Sequence, residues 1–190
     1  MERINLLKDY VSKENGIFVE IGTDCGNFAE ALLNFNKTAK LYCIDPYEKY
    51  EDYKDSLNFI TDNKRYEDAY NRLKNQFGER VTFVRKYSDH AVPLIPNNID
   101  FLYIDGNHAY KYVKSDLENY YPKVNSGGYI VGDDAIDVDD SQRNTDGNCF
   151  FSCDSIFHNI GVINAFREFI IKNNLQAKLI TNQIILQKPV

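Results

Sequence analysis

Phe101-Leu-Tyr-Ile-Asp-Gly-Asn-His108 and, about one βαβ unit later, Gly128-Tyr-Ile-Val-Gly-Asp-Asp134 are the two stretches that decide how this chain folds. Each is a short apolar run that ends in acid. Phe101 to Ile104 lead into Asp105, with His108 three positions on. Tyr129 to Val131 pass through Gly132 into the pair Asp133 and Asp134. Runs that are apolar at every position suit parallel strands buried on both faces. In an open α/β sheet, ligands sit outside the carboxyl ends of the strands. Two neighbouring strands of this kind would bring three carboxylates and one imidazole to one spot. That chemistry suits a hard cation with a general base beside it.

The same reading extends outward. Ile17–Ile21, Lys40–Ile44 and Val81–Val84 are predicted as further strands, and Lys178–Ile180 and Ile184–Gln187 as a final pair joined by Thr181-Asn-Gln183. Helical spacing predicts helices over residues 2–13, 27–36, 66–77, 110–121 and 160–173. The alternation predicts an α/β fold: a Rossmann-like, doubly wound, mostly parallel seven-stranded sheet with an antiparallel C-terminal hairpin. With 190 residues and no linker or repeat, a single domain over 1–190 is expected. Two polar segments break the alternation, Tyr47–Lys64 and Ala135–Asn159. The second follows the acidic pair directly, and 135–159 reads as a lid over the site.

Composition narrows the function. The net charge is −6 and no dense Lys/Arg cluster appears, which argues against a nucleic-acid partner. No apolar run reaches transmembrane length, and the N-terminus lacks a signal-peptide core. No membrane partner and a cytoplasmic location are the expectations. Cys25, Cys43, Cys149 and Cys153 lack paired zinc-site spacing and read as reduced thiols.

Glu20-Ile-Gly22-Thr23-Asp-Cys-Gly26-Asn-Phe28 follows a strand and opens a helix. Glycines there let a backbone approach a ligand. The spacing is G-x-x-x-G rather than the G-x-G-x-x-G of nicotinamide sites. Asp24 would repel a diphosphate, and Glu20 favours a cationic ligand. Asp45, ending the second strand, is placed to accept hydrogen bonds from ribose hydroxyls. A nucleoside without phosphates and with a positive end meets these demands, and S-adenosylmethionine (SAM) is such a molecule.

Val19 to Phe28 resembles motif I of class I SAM-dependent methyltransferases. Ile99–Tyr110, Val113–Leu117, Gly127–Asp134 and Gly161–Phe166 resemble one branch of that family, the small-molecule O-methyltransferases related to the macrocin and mycinamicin sugar O-methyltransferases. The resemblance spans about residues 15–190. It implies magnesium held by Asp105, Asp133 and Asp134, with His108 as base; Asp105 is in addition expected as a catalytic and a cofactor-binding residue. It also implies adenine contacts from Ser88 and Asp89. Asn107 stands where many relatives have an acid.

These readings converge on an O-methyltransferase for a small hydroxylated acceptor, a sugar or glycan first, assisted by Mg2+ and a histidine base, with a homodimer as one possible assembly. Two alternatives stay open: a non-catalytic SAM- or nucleoside-binding module, and a metal-dependent enzyme acting on a catechol-like phenol. An NAD-linked oxidoreductase fits the glycine spacing poorly. The bland readings are a strand-to-helix turn for Gly22 and Gly26, a surface histidine for His108, and a helix cap or loop pair for Asp133-Asp134.

Overall fold

In the computed structural model, residues 3–51, 62–135 and 160–190 are described. Strands β1 (Ile17–Ile21), β2 (Lys40–Ile44), β3 (Val81–Val84), β4 (Ile99–Ile104) and β5 (Val124–Gly132) pair in parallel. Strands β6 (Ala177–Ile180) and β7 (Gln183–Gln187) form the hairpin, and β7 joins β5 antiparallel. The sheet order is β3-β2-β1-β4-β5-β7-β6, so the seven-stranded, doubly wound architecture read from the alternation is the one observed. The order reverses between β1 and β4, which is where such sheets open a crevice for ligands.

Helices α1 (Arg3–Leu7), α2 (Asn27–Phe35), α3 (Asn63–Phe77), α4 (Ser88–Ala91), α5 (Tyr110–Tyr120) and α6 (Ile160–Lys172) complete the described chain. Successive strand residues face opposite sides of the sheet, and both sides are dry. Phe18, Leu41, Phe101 and Tyr103 pack with Leu7 of α1, Leu32 of α2 and Leu73 of α3. Val19, Leu102 and Ile104 pack with Val113 and Leu117 of α5 and Phe166 of α6. Two-faced burial is why the central strands read as largely apolar runs.

Some boundaries differ from the sequence reading, for local reasons. The first helix stops at Leu7 instead of running to residue 13, because the buried Asn36 amide donates to the Val11 and Lys13 carbonyls at 2.9 Å each. Those bonds turn the chain toward β1. Helix α3 starts three residues early, where the Asp62 side chain accepts from the Arg65 N–H at 2.9 Å and caps it. Strand β5 extends back to Val124 through a register shift opposite Ile99 and Phe101. Its Ser-Gly-Gly start looks like a turn in sequence. The proposed lid lies outside the described residues, except for Ala135, which is buried.

Strand register sets up the site. The ladder continues one residue past the strand ends: Gly22 N–H donates to Ile44 O, Asp105 N–H to Ile21 O, Asp133 N–H to Ile104 O and Asp45 N–H to Val84 O, at 2.8 to 3.3 Å. Asp45, Gly22, Asp105 and Asp133 therefore stand in one row across β2, β1, β4 and β5.

Candidate active site

The acidic end of the row is built from β4 and β5. Asp105 Oδ1 lies 3.4 Å from His108 Nε2, and His108 Nδ1 lies 3.9 Å from Asp134 Oδ2. One ligand atom each from Asp105, His108 and Asp134 fall within 4.8 Å of one another. His108 comes back over Asp105 because the intervening Asn107 makes a tight turn, its Oδ1 accepting from the Ala109 N–H at 3.0 Å. Helix α6 then clamps the turn. Gly161 lies so close that a β-carbon there would sit 2.6 Å from Tyr110 N and nearer still to the His108 carbonyl. Burial disfavours the charged imidazole, but the hydrogen bond and charge of Asp105, with Asp134 and Asp133 behind, hold the His108 pKa above its ordinary 6.5.

Asp133 stands in the row yet points into a different set of partners. Its side chain is fully buried. Oδ1 accepts from Gln183 Nε2 and, at 3.2 Å, from Asn182 Nδ2, both from the β6–β7 turn and β7. Oδ2 pairs with Arg3 NH2 at 2.8 Å. Burial first, then the Asp105 charge, pushes its pKa up to about 7 against the pull of Arg3. Asp134 sits in the left-handed region (φ 54°), and its Oδ1 accepts from Asn182 Nδ2 at 2.8 Å. The adjacent acids are thus turned apart, Asp133 inward and Asp134 toward His108. Arg3, absent from the sequence reading, bridges Asp133 to Asp105 Oδ2, also at 2.8 Å. No local signal marks an N-terminal arginine as a site residue.

The glycine loop lies beside Asp105. Glu20 and Thr23 are both buried, and Glu20 Oε2 and Thr23 Oγ1 have no hydrogen-bond partner. Burial drives the Glu20 pKa well above the usual carboxylate range. Unpaired buried polar atoms are costly, and a ligand with an ammonium or amide donor would satisfy them. Gly22 has a reason beyond ligand approach. At φ 89° its missing β-carbon would lie 2.6 Å from Gly106 Cα and closer to the Asp105 carbonyl. The glycine lets β1 and β4 close together at the crevice. Gly26 caps α2 in a left-handed conformation. The Asp24 carboxylate is held by Arg65, whose Nε donates to Oδ1 at 2.7 Å. That pairing offsets the charge expected to repel a diphosphate, so the case against such a ligand rests on Glu20 and the glycine spacing. Asp45 accepts from the backbone N–H of Asp24 at 2.9 Å and of Tyr47 at 2.7 Å, one on each oxygen. Each oxygen keeps a lone pair for a hydroxyl.

Ser88 and Asp89 open α4 at the end of β3 and line a cavity of about 690 Å3 with Tyr50, Tyr87, Lys111 and Tyr112. The volume suits a small ligand. Ser88 is held from below: Tyr120 OH donates to its carbonyl at 2.7 Å, and its hydroxyl lies near Asp116. Asp116 is buried with Oδ1 unpaired, and burial pushes its pKa to about 7. Its signal was present in sequence as an acid on the apolar Val113–Leu117–Tyr120 side of α5. Of the tyrosines in the polar Tyr47–Lys64 segment, Tyr47 is buried, Tyr50 lines the cavity and Tyr53 lies outside the described residues. Cys25 and Cys43 are free thiols, while Cys149 and Cys153 also lie outside the described residues.

The donor set fits a divalent cation through the carboxylates of Asp105 and Asp134, with the His108 imidazole beside them, all three half-buried. Asp133 fits less well, because three side chains already occupy its oxygens. Among the described residues, no helix is long and apolar enough to cross a membrane.

Comparison with known proteins identifies the family and the fold. A family described as a methyltransferase domain matches residues 19–135. Protein R132 of Acanthamoeba polyphaga mimivirus, whose function is uncharacterised, is 34% identical over 140 residues, 69% of this chain, and the match spans 57% of that relative's length. The O-methyltransferase NovP superposes with a TM-score of 0.68 at 19% identity, covering 99% of this chain and 80% of its own. MycE methyltransferase of the mycinamycin pathway, in complex with Mg and SAH, superposes at 0.60 with 15% identity, over 98% of this chain and 48% of its own. At these identities the superpositions speak for the fold.

Proposed function

Because the chain belongs to the methyltransferase-domain family, of the class I SAM-dependent fold, we propose that it methylates a hydroxyl of a small acceptor, a sugar or glycan first. The observation that carries this reading is the Asp105–His108–Asp134 cluster standing beside the glycine loop at the carboxyl edge of the sheet. A basic imidazole next to a cation-ready acid pair suits deprotonation of an alcohol. The O-methyltransferase NovP, and MycE with its Mg and SAH, share the fold and support the choice.

Bound SAM supplies an electrophilic methyl group, and a divalent ion on Asp105 and Asp134 would lower the pKa of an acceptor hydroxyl. The chain supplies the rest. Glu20 and Thr23 offer their unpaired oxygens to the amino-acid end of the cofactor, and Asp45 its free lone pairs to the ribose. Ser88 and Asp89 border the space for the base. His108 takes the acceptor proton as the oxygen–methyl bond forms and the sulfur–methyl bond breaks. Holding the oxygen in line with the departing sulfur supplies much of the rate. A vicinal diol or a catechol presents two adjacent oxygens to one cation, so both classes belong in the test.

The test is SAM turnover against nucleotide sugars, free glycans and catechols, with Mg2+ and after exhaustive chelation, alongside calorimetry with SAM, its demethylated product and NAD. Transfer to an oxygen acceptor that needs the ion supports the reading. SAM binding without transfer to any acceptor favours the non-catalytic module, and NAD binding without SAM binding removes both.

A further inference from the structure

Arg3 belongs to no part of the chemistry above, yet it makes the two shortest ion pairs at the acidic cluster. NH1 lies 2.8 Å from Asp105 Oδ2 and NH2 lies 2.8 Å from Asp133 Oδ2. We propose that Arg3 is a resident cation of the active site, which competes with a divalent ion for Asp105 and keeps Asp133 out of the ion's ligand set. The proposal rests on the metal-assisted reading and adds a residue that sets the affinity of the site for its ion.

Three features carry it. First, Asp133 already faces a cation. Its side chain is fully buried, Oδ1 takes Asn182 and Gln183, and Oδ2, which makes no hydrogen bond, meets only the Arg3 guanidinium, as an ion pair at 2.8 Å. An ion could recruit Asp133 only by evicting the guanidinium. Second, Asp105 is shared. It is one of the two carboxylates, Asp105 and Asp134, that an ion would use, and one of its oxygens already carries Arg3. A guanidinium and a divalent ion on one carboxylate repel each other in a partly dry site. Third, Arg3 can leave. Its side chain is 41% exposed, whereas its helix is anchored separately by the buried Ile4 and Leu7. The guanidinium can swing toward water, away from the Phe28 and Tyr103 rings 5.7 and 5.9 Å beneath it, without α1 leaving the core. Arg3 thus neutralises the buried carboxylate when no ion is present, and yields Asp105 when one arrives.

The experiment has two arms on the full chain. In the first, the side-chain 15N signals of arginine are followed by NMR during Mg2+ titration, with the Arg3 signal assigned by its loss in Arg3→Lys. Arg3 is expected to shift and to exchange faster with water as Mg2+ binds; an Arg3 signal unmoved at saturating Mg2+ overturns the proposal. In the second, Mn2+ affinity is measured by water-proton relaxation for wild type and Arg3→Gln. Tightening by about tenfold or more is expected once the competing charge is gone; equal or weaker binding overturns it. If circular dichroism shows Arg3→Gln unfolded, Arg3→Lys replaces it, since a point charge cannot bridge both carboxylates, and a gain of about threefold is expected. Absence of Mn2+ binding by every protein also overturns the proposal. SAM calorimetry on the same samples separates that outcome from failure of the methyltransferase reading, because SAM binding survives only in the first case.

Discussion

Replacing Asp116 by Asn should make the protein more stable at neutral and alkaline pH. Asp116 is buried on the inner side of α5, with Oδ1 unpaired and only the nearby Ser88 hydroxyl favouring its charge, so its pKa rises from 3.8 to about 7. The sign follows from linkage. An acid whose pKa is raised on folding binds its proton more tightly in the folded state, so stability is full below 3.8 and is lost as pH rises toward 7. At about 1.4 kcal/mol per unit, the whole window costs about 4 kcal/mol, of which roughly 2 to 3 kcal/mol falls between pH 5 and pH 8. Asn keeps the shape and can still accept from Ser88, but it cannot ionise. Urea denaturation of wild type and Asp116→Asn at pH 5, 6, 7 and 8 measures the difference directly. The variant should gain on wild type by that amount across the window, and its own curve should be flatter. The other raised carboxylic acids, Glu20, Asp45 and Asp133, are present in both proteins and cancel in the comparison. Parallel stability curves, or a variant that loses ground as pH rises, would refute the claim that Asp116 carries a buried proton.

Three further outcomes are expected. Gly22→Val should prevent folding instead of merely abolishing SAM binding, since its β-carbon would press into the Asp105–Gly106 backbone; a folded, cooperatively melting variant that has lost only SAM affinity would show the strand contact to be forgiving. His108→Ala should lower kcat by about 100-fold or more with SAM affinity unchanged, and in wild type the rate should climb with pH through a value above 6.5, because the carboxylates hold the proton on and a bound cation would shift the limb back down. Turnover near wild type in single-turnover kinetics would move the proton-acceptor role to another group. Asp134→Asn should weaken the divalent-ion dependence of turnover while SAM affinity stays within about twofold, as its carboxylate faces His108 and not the glycine loop; full activity after chelation of wild type would show that the acids serve another purpose.

Much of the fold was legible because its signals are local. A strand buried on both faces is apolar at nearly every position, so Phe101–Ile104, and Ile17–Ile21 with only Glu20 breaking the run, announce themselves within a few residues. Acids at the ends of such runs, and a glycine loop opening a helix, likewise mark the carboxyl edge without reference to anything distant. Asp105, His108 and Asp134 were found that way, and they do converge. Boundaries failed where a long-range partner set them, as when Asn36 drew the Val11 and Lys13 carbonyls out of helix.

Tertiary structure alone decided what the acids do once they meet. The register of β1, β2, β4 and β5 turned four separate strand ends into one row. Arg3 reached Asp105 from 102 positions away, and Asn182 and Gln183 reached Asp133 from the far hairpin, which gave adjacent aspartates opposite surroundings. Gly22 and Gly161 owe their identities to backbones that arrive from other elements. Side-chain type and spacing record which chemistry is available along the chain. They do not record the distance between residues a hundred positions apart, and the energy of a carboxylate, its proton and its counter-cation depends on that distance.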